Sequence, residues 1–155
     1  MKKNAVQLPV QKAEHAQDLE IPRYMTAGAS GMDLCAAVED VKTIMPGEID
    51  LVPSGLMVAV PAGYELQIRP RSGLAAKQGI GILNSPGTID SDYRGEIKVI
   101  IINLGHEPYR INRHDRIAQM VLCPVLRAEL LETDQLPATE RSDGGFGHTG
   151  GQQGK

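Results

Sequence analysis

Hydrophobic and polar residues alternate along much of the chain with a period of two. The clearest case is Gly63 to Arg69, where Tyr64, Leu66 and Ile68 fall on one side and charged or amide residues fall on the other. A period of two is typical of a β-strand with one buried face. This stretch is therefore predicted to be a half-buried strand.

Other short apolar runs predict further strands. Ile97 to Ile102 is β-branched apart from Lys98 and is predicted to be a strand that is buried on both faces. The same strand could supply a subunit interface, because the chain has few aromatic residues to fill a core and obligate interfaces resemble a core cut in half. The remaining predicted strands are Glu48 to Val52, Leu56 to Val60 and Ile117 to Val125.

Only one helical segment is predicted, Leu74 to Gln78, with Ser72 as its N-cap and Gly79 as its C-cap. Many short strands separated by glycine and proline turns predict an all-β fold, a jelly-roll-like barrel or sandwich with one short helix. Near the end of the chain the periodicity is lost. We therefore predict a β domain over residues 1–132 and an extended, flexible, glycine-rich C-terminal arm over residues 133–155.

Composition narrows the classes of function. The chain has 155 residues, 41 % of them hydrophobic, and a net charge of −3. These values argue against a disordered chain and against a nucleic-acid-binding protein, which would carry a basic patch. No apolar run approaches the ~18 residues of a membrane span. Cys35 and Cys123 lack zinc-site spacing, so we predict buried thiols and a cytoplasmic protein.

The C-terminal segment contains the only phenylalanine of the chain, Phe146, between glycines and a few residues after Arg141. A flexible arm with a flat apolar ring and an arginine is suited to closing over a flat, anionic ligand such as a nucleotide. A disordered chain end is the alternative interpretation.

A second segment, Gly87 to Gly95, carries Asp90 and Asp92 two residues apart. Two such carboxylates lie on one side of an extended chain, where they could bind a metal or supply a general base. A polar turn explains the same pattern. The preceding stretch, Gly79 to Pro86, is predicted to be a hairpin whose glycines permit close approach of a ligand to the backbone.

Three further features involve charged or amide side chains. Arg71 and Ser72 stand at the predicted helix N-terminus, which is either an anion site or an ordinary capped helix. Gln119 lies within an apolar run and needs a hydrogen-bond partner, internal or from a ligand. Asp33 follows a turn of small residues, and a structural turn is the simplest interpretation of that segment.

Together, these segments resemble the homotrimeric deoxyuridine triphosphatases (dUTPases) in their order and spacing. The resemblance covers nearly the whole chain, and its most specific parts are G-x-I-D-x-D-Y-x-G and R-S-x-G-G-F-G. The matching segments are Ala29–Ala36, Arg71–Leu74, Asn84–Gly95, Arg116–Gln119 and Arg141–Gly150.

The resemblance implies a trimer of jelly-roll subunits with three active sites at the subunit interfaces. Each site would take the first, second and fourth segments from one subunit, the third from its neighbour and the arm from the remaining subunit. The implied reaction is the hydrolysis of dUTP to dUMP and pyrophosphate. This reaction limits uracil incorporation into DNA and supplies dUMP for dTMP synthesis.

The resemblance also assigns roles to residues. Asp90 would activate a water for in-line attack on the α-phosphorus. Mg²⁺ would be held mainly by the substrate phosphates, with Asp33 reaching it through water. The implied substrate-binding residues are Arg71, Ser72, Gly73, Asn84, Tyr93, Gln119, Arg141, Phe146 and Gly147.

Two alternatives remain open at this point. The related dCTP deaminases share the fold but carry out chemistry on the base. A non-catalytic trimer that binds a nucleotide or a partner protein is the other alternative. Asp90 beside Tyr93 counts against it, because a protein that only binds has no need of a base.

Overall fold

Eleven strands and two short helices are formed by residues 5–144, the part of the chain that this computed structural model describes. The helices are a 3₁₀ helix, Glu14–Ala16, and the α-helix α1, Ser72–Gln78. The strands are β1 (Val10–Lys12), β2 (Met32–Cys35), β3 (Lys42–Ile44), β4 (Ile49–Pro53), β5 (Leu56–Val58), β6 (Tyr64–Arg69), β7 (Ile80–Ile82), β8 (Gly87–Ile89), β9 (Lys98–Asn103), β10 (Tyr109–Ile111) and β11 (Arg116–Pro124). The predicted all-β fold with one short α-helix is confirmed.

The strands pair antiparallel in four sheets. The largest has the order β2-β11-β6-β8, and a three-stranded sheet has the order β4-β9-β7. Two smaller sheets pair β1 with β5 and β3 with β10. Strands that follow each other in the sequence are mostly not hydrogen-bonded neighbours, so the fold depends on long-range pairing.

Both larger sheets contribute to one hydrophobic core. Leu66 and Ile68 point into it from β6, and Val99 and Ile101 enter from β9. Each of these side chains is at most 3 % exposed, and full burial of an aliphatic side chain of this size contributes about 1.5–3 kcal/mol. The alternation predicted for Gly63 to Arg69 is thus confirmed, and the two sheets form a sandwich.

The N-cap of the helix lies one residue earlier than predicted. Arg71 occupies the N-cap position with extended backbone angles, and Ser72 is the first helical residue, so the predicted N-cap at Ser72 is wrong. Among residues 5–144, no side chain caps the N-terminus of this helix. The C-cap prediction is confirmed, because Gly79 adopts a left-handed conformation with φ of 69°.

The hairpin predicted for Gly79 to Pro86 is wrong. β7 pairs with β9, whereas β8 pairs with β6 in the other large sheet. Residues 83–86 therefore connect two sheets instead of turning between paired strands. This connection leaves an open cleft between the sheets.

The strand predicted at Ile97 to Ile102 is β9, but only one of its faces is buried within the chain. Ile100 and Ile102 are half-buried on the outer face, opposite Leu51 and Ile49 of β4. Leu51 is 49 % exposed and Ile49 is 51 % exposed. We call these four side chains the open face.

The two cysteines are free thiols, but neither is fully buried as predicted. Cys35 is half-buried at the end of β2, and this burial raises the pKa of its thiol. Cys123 lies on β11, where its sulfur accepts a hydrogen bond from Arg69. Both residues lie on strand surfaces, which explains their partial exposure.

After β11 the described chain forms no helix or strand, and residues 126–143 are exposed. The leucines in this segment are 81–96 % exposed at positions 126, 130, 131 and 136. In the part of the chain from residue 5 to residue 144, no helix is long and apolar enough to cross a membrane.

Candidate functional site

Polar side chains from three adjacent strands meet at one end of the four-stranded sheet. Gln119 of β11 lies directly opposite Asp33 of β2 on one side and opposite Arg69 of β6 on the other. Directly opposed residues project from the same face of a sheet. The sheet register therefore places Asp33 beside Gln119.

Two arginines bind the Asp33 carboxylate. Arg71 Nε donates to Asp33 Oδ1 at 2.9 Å, and Arg116 Nη1 lies 3.3 Å from Asp33 Oδ2. Arg71 Nη1 also donates to the carbonyl oxygen of Arg116 at 3.1 Å. Two guanidinium groups and one carboxylate leave a net positive charge. We call this cluster, with Gln119, the basic corner.

Gln119 has an internal partner, which answers the question that its sequence position raises. Its Nε2 donates to the carbonyl oxygen of Pro70 at 2.9 Å, just before Arg71. A Cβ at Gly31 would lie 2.8 Å from Gln119 Oε1, so this amide can sit here only because residue 31 is glycine. The side chain links β11 to the start of the helix.

The first turn of α1 faces the same region. The carbonyl of Arg71 accepts hydrogen bonds from the N–H groups of Leu74 and Ala75. The N–H groups of Ser72 and Gly73, both exposed residues, have no acceptor within the helix because they belong to its first turn. Together with the guanidinium of Arg71, they are donors suited to phosphate oxygens.

A second group of predicted residues lies in the cleft between the two large sheets. Its volume is about 350 Å³, and Asn84, Asp90 and Tyr93 all line it. The remaining wall is partly apolar, with Ile68 and Ile82 among its residues. A cleft of this size with a few polar groups on an apolar wall is typical of a small-molecule site.

The turn that carries Asp90 is fixed by hydrogen bonds. The N–H of Tyr93 donates to the carbonyl of Asp90 at 3.2 Å, and the Tyr93 hydroxyl donates to the carbonyl of Glu96 at 3.0 Å. A Cβ at Gly95 would overlap the Tyr93 ring, so the ring lies directly against the backbone there. The Asp90 side chain itself is exposed.

Asn84 stands in the connection between β7 and β8. A Cβ at Gly87 would lie 3.4 Å from Asn84 Nδ2 and 3.4 Å from Cβ of Ile68. Glycine at this position thus leaves room beside the amide. The predicted close approach of a ligand to the backbone stays a prediction.

The basic corner and Asp90 lie at opposite ends of β6. Gln119 is level with Arg69, whereas Ile89 pairs with Leu66, which places Asp90 one residue further along, at the level of Glu65. Four residues of strand span roughly 13 Å. One copy of the chain therefore holds the two groups of residues apart.

The arm is described only as far as Gly144. Arg141 is exposed, and its Nε donates to the carbonyl of Gly144 at 2.8 Å. Phe146 and Gly147 lie outside the described residues. Within residues 5–144, the side chain of Arg141 makes no hydrogen bond to the basic corner or to the residues that line the cleft.

The sequence prediction does not include Arg116 or Glu96 among the site residues. Arg116 stands at the first position of an apolar strand, and a charge at such a position is the signal that could have identified it. Glu96 follows the glycine of the aspartate-bearing segment, but its carbonyl is the group that contacts Tyr93, and a backbone acceptor leaves no signal in a sequence.

Comparison with known proteins identifies the family of this chain. The dUTPase family model matches residues 17–150. A protein of Caldanaerobacter subterraneus subsp. tengcongensis named deoxyuridine 5'-triphosphate nucleotidohydrolase is 55 % identical over 146 residues, which cover 94 % of this chain and 99 % of that protein. One of the same name from Neorickettsia sennetsu is 57 % identical over 136 residues, covering 88 % and 91 %.

Solved structures show the same fold. The dUTPase of Staphylococcus bacteriophage 80alpha, in a mutant form with dUpNHpp, superposes with a TM-score of 0.83 at 23 % identity, covering 94 % of this chain and 99 % of the other. A mutant dUTPase of phage phi11 of S. aureus, described with a structural Mg(II) ion, has a TM-score of 0.74 at 23 % identity, covering 84 % and 98 %.

Fold and site together define a jelly-roll protein with a basic corner and a separate cleft that carries a carboxylate. The length and identity of the matches make the assignment specific. The chain belongs to the dUTPase family.

Proposed function

We propose that the protein hydrolyses dUTP to dUMP and pyrophosphate. The observation that carries this proposal is that Asn84, Asp90 and Tyr93 line one cleft of about 350 Å³. A nucleotide hydrolase needs an amide that pairs with the edge of the base, a carboxylate that activates a water and a ring that packs against the sugar. The curated relatives, named deoxyuridine 5'-triphosphate nucleotidohydrolase, support the choice of nucleotide.

In the reaction, Asp90 accepts a proton from a water molecule as the water oxygen bonds to the α-phosphorus. The bond between the α-phosphorus and the oxygen bridging to the β-phosphorus breaks, and pyrophosphate leaves with that oxygen. The exposed position of Asp90 at the wall of the cleft suits this role, because the carboxylate is open to solvent and to ligand. General-base assistance typically contributes 10²–10⁴-fold, a value from other enzymes that sets the order of magnitude to expect.

Selectivity for deoxyuridine follows from the shape and polarity of the cleft. Asn84, with the backbone of residues 82–86, pairs with the uracil edge, and cytosine would leave buried groups unpaired. Sites of this kind discriminate by about 10⁴–10⁵. Tyr93, held against Gly95, lies under the sugar and excludes a ribose 2′-hydroxyl.

The basic corner binds the triphosphate. Arg71 and the first-turn N–H groups of Ser72 and Gly73 hold phosphate oxygens, and Gln119 contacts the phosphates or the attacking water. The net positive charge of the corner supports this role, because two guanidinium groups surround one carboxylate there.

The donor set of the corner fits a magnesium ion that is carried by the substrate. Asp33 is a carboxylate beside the phosphate-binding arginines, and within residues 5–144 no group of three metal-binding side chains comes together. Mg²⁺ is commonly bound through one or two carboxylates plus substrate phosphates, with several waters retained. We propose that Asp33 reaches the ion through water. When bound, the ion neutralises charge on the phosphates.

We further propose that the protein is a homotrimer with shared active sites. Asp90 and the basic corner lie roughly 13 Å apart along β6, so a corner from one copy can complete the cleft of another. The open face of β4 and β9 offers an apolar surface for such assembly. Residues 1–132 form the β domain in this proposal.

The arm, residues 133–155, completes the site in the same proposal. Arg141 clamps the terminal phosphate, Phe146 stacks on the base, and Gly147 lies beside them. Base–aromatic stacking is typically worth about 1–3 kcal/mol. The reaction takes place in the cytoplasm, where two free thiols are stable, and it limits uracil incorporation into DNA while supplying dUMP for dTMP synthesis.

The test is a pyrophosphate-release assay with dUTP, the four standard dNTPs and UTP, with ammonia measured in parallel. We expect pyrophosphate from dUTP alone at low micromolar protein. Ammonia from dCTP would identify a deaminase instead. Tight binding of dUTP without pyrophosphate release would identify a non-catalytic nucleotide-binding protein.

A further inference from the structure

We propose that Glu96 and Ser54 are positioning residues for Tyr93 and set how strictly the site excludes a ribose. Neither residue is among those that the proposed mechanism uses. The inference rests on the proposed function, because it assigns Tyr93 to the sugar of the substrate. Glu96 and Ser54 would hold the tyrosine in place without contacting the substrate.

A hydrogen bond to the backbone orients Tyr93. Its hydroxyl donates to the carbonyl of Glu96 at 3.0 Å, and its ring lies where a Cβ of Gly95 would be. The ring is 42 % exposed in the single chain, so packing alone holds it weakly. The position of the Glu96 carbonyl therefore decides where the ring stands.

The Glu96 carbonyl is in turn held by its neighbours. Its peptide unit runs from the Cα of Glu96 to the Cα of Ile97. The N–H of this unit donates to the carbonyl of Leu56 at 2.8 Å, and the turn that follows β4 holds both ends. The Glu96 carboxylate accepts from the N–H of Gly55 at 2.7 Å. Ser54 donates to the carbonyl of Ile97 from its hydroxyl at 2.6 Å and from its N–H at 3.1 Å.

The turn at Ser54 and Gly55 is itself tightly packed. Gly55 has a φ of +66°, and a Cβ there would overlap the side chain of Ala16 in the 3₁₀ helix. The Gly55 carbonyl accepts from the N–H of Ala13 at 2.8 Å, and Ser54 is 5 % exposed. A buried, doubly hydrogen-bonded turn is a fixed support for the peptide unit.

Loss of a support for Tyr93 should change the selectivity for dUTP over UTP more than the rate with dUTP. Excluding one hydroxyl requires the ring to stay within a fraction of an ångström of its place, whereas a deoxyribose tolerates a ring that moves. Loss of a support should therefore admit UTP before it impairs dUTP hydrolysis.

The experiment measures the ratio of kcat/KM for dUTP to that for UTP in Glu96→Ala, Glu96→Gln and Ser54→Ala. We expect Glu96→Ala and Ser54→Ala each to lower this ratio by about five- to tenfold, the effect of one lost hydrogen bond. Glu96→Gln keeps an acceptor for the Gly55 N–H and should restore the ratio to that of the wild type. The matched control is Glu48→Ala, which removes a carboxylate that accepts from the backbone N–H of Met45 in a different turn.

A cycle with Tyr93→Phe tests that the effect passes through this hydroxyl. In the Tyr93→Phe background, Glu96→Ala should change the ratio by less than twofold, because the contact is already absent. An unchanged ratio in both Glu96→Ala and Ser54→Ala, or an equal fall in Glu48→Ala, would overturn the inference. If the wild type does not hydrolyse dUTP, the proposed function fails instead, so the two failures are distinguishable.

Discussion

At the scale of single residues, the positions that carry the proposed chemistry are held by backbone contacts of their neighbours. Asp90 follows the last residue of β8, and its carbonyl anchors Tyr93 three residues later. Gly95 and Gly31 carry no chemistry, yet a side chain at either position would displace Tyr93 or Gln119. Small residues here are as much part of the site as the polar ones.

Replacing Asp90 by asparagine should lower kcat for dUTP by about 10²–10⁴-fold, because the amide cannot accept the proton of the attacking water. The side chains are nearly equal in size, so the unfolding temperature should stay close to that of the wild type. Steady-state pyrophosphate release and a thermal melt measure the two effects. Asp92→Asn, an exposed carboxylate in the same turn, is the control and should retain most of the activity.

At the scale of elements, local sequence predicted the strands better than their partners. The alternation from Gly63 to Arg69 identified β6, and Gly79 identified the end of α1, because both signals act within a few residues. The pairing of β7 with β9 and of β8 with β6 depends on contacts between distant segments, and the predicted hairpin failed for that reason. The cluster of Asp33 with Arg71 and Arg116 required the same long-range register, so composition and spacing alone did not group them.

The turn after the 3₁₀ helix is joined to the turn before β11 by an ion pair that should make stability depend on pH in the acid range. Arg113 Nε donates to Asp18 at 3.0 Å, and His114 Nε2 lies 3.2 Å from the same carboxylate. The hydrogen bond from Arg113 lowers the pKa of Asp18 from 3.8 to about 2. The unfolded chain then takes up a proton near pH 4, whereas the folded chain does so only near pH 2.

This difference stabilises the fold fully above about pH 4, and the contribution is lost as the pH falls from there to about 2. We expect Asp18→Asn to be less stable than the wild type at pH 6 and nearly equal to it at pH 2. Urea unfolding midpoints at several pH values measure the difference. A constant difference across this range would contradict the role of Asp18, while other carboxylates explain any acid sensitivity that both proteins share.

At the scale of the whole molecule, a single copy leaves apolar groups exposed that a larger assembly would cover. The open face places Leu51 opposite Ile100 and Ile49 opposite Ile102 on the outer face of the β4–β9 pair. The low aromatic content of the chain, 3 %, indicates that β9 could supply a subunit interface. The open face is the surface on which such an interface would form.

Replacing Leu51 by glutamate should weaken the trimer, because a charge would be buried against apolar side chains without a partner. We expect light scattering after size-exclusion chromatography to show smaller species at micromolar concentration; activity does not measure assembly in this variant, because Leu51 also lines the cleft. Thr43→Glu introduces the same charge on β3, in a different sheet, and should leave the mass unchanged. An intact trimer in Leu51→Glu would place the subunit interface elsewhere.

The separation of Asp90 from the basic corner along β6 has a consequence for mixtures of damaged chains. An Arg71→Ala chain lacks the arginine but keeps Asp90, and an Asp90→Asn chain lacks the carboxylate but keeps Arg71. Each variant is therefore expected to be inactive alone. If neighbouring copies build the site jointly, co-refolding the two defective chains restores an undamaged centre wherever they adjoin in the right order, about a quarter of all centres in a random equal mixture. Two different inactivating mutations in the same gene would thus complement each other. Such complementation would not occur if each subunit carried a whole active site of its own.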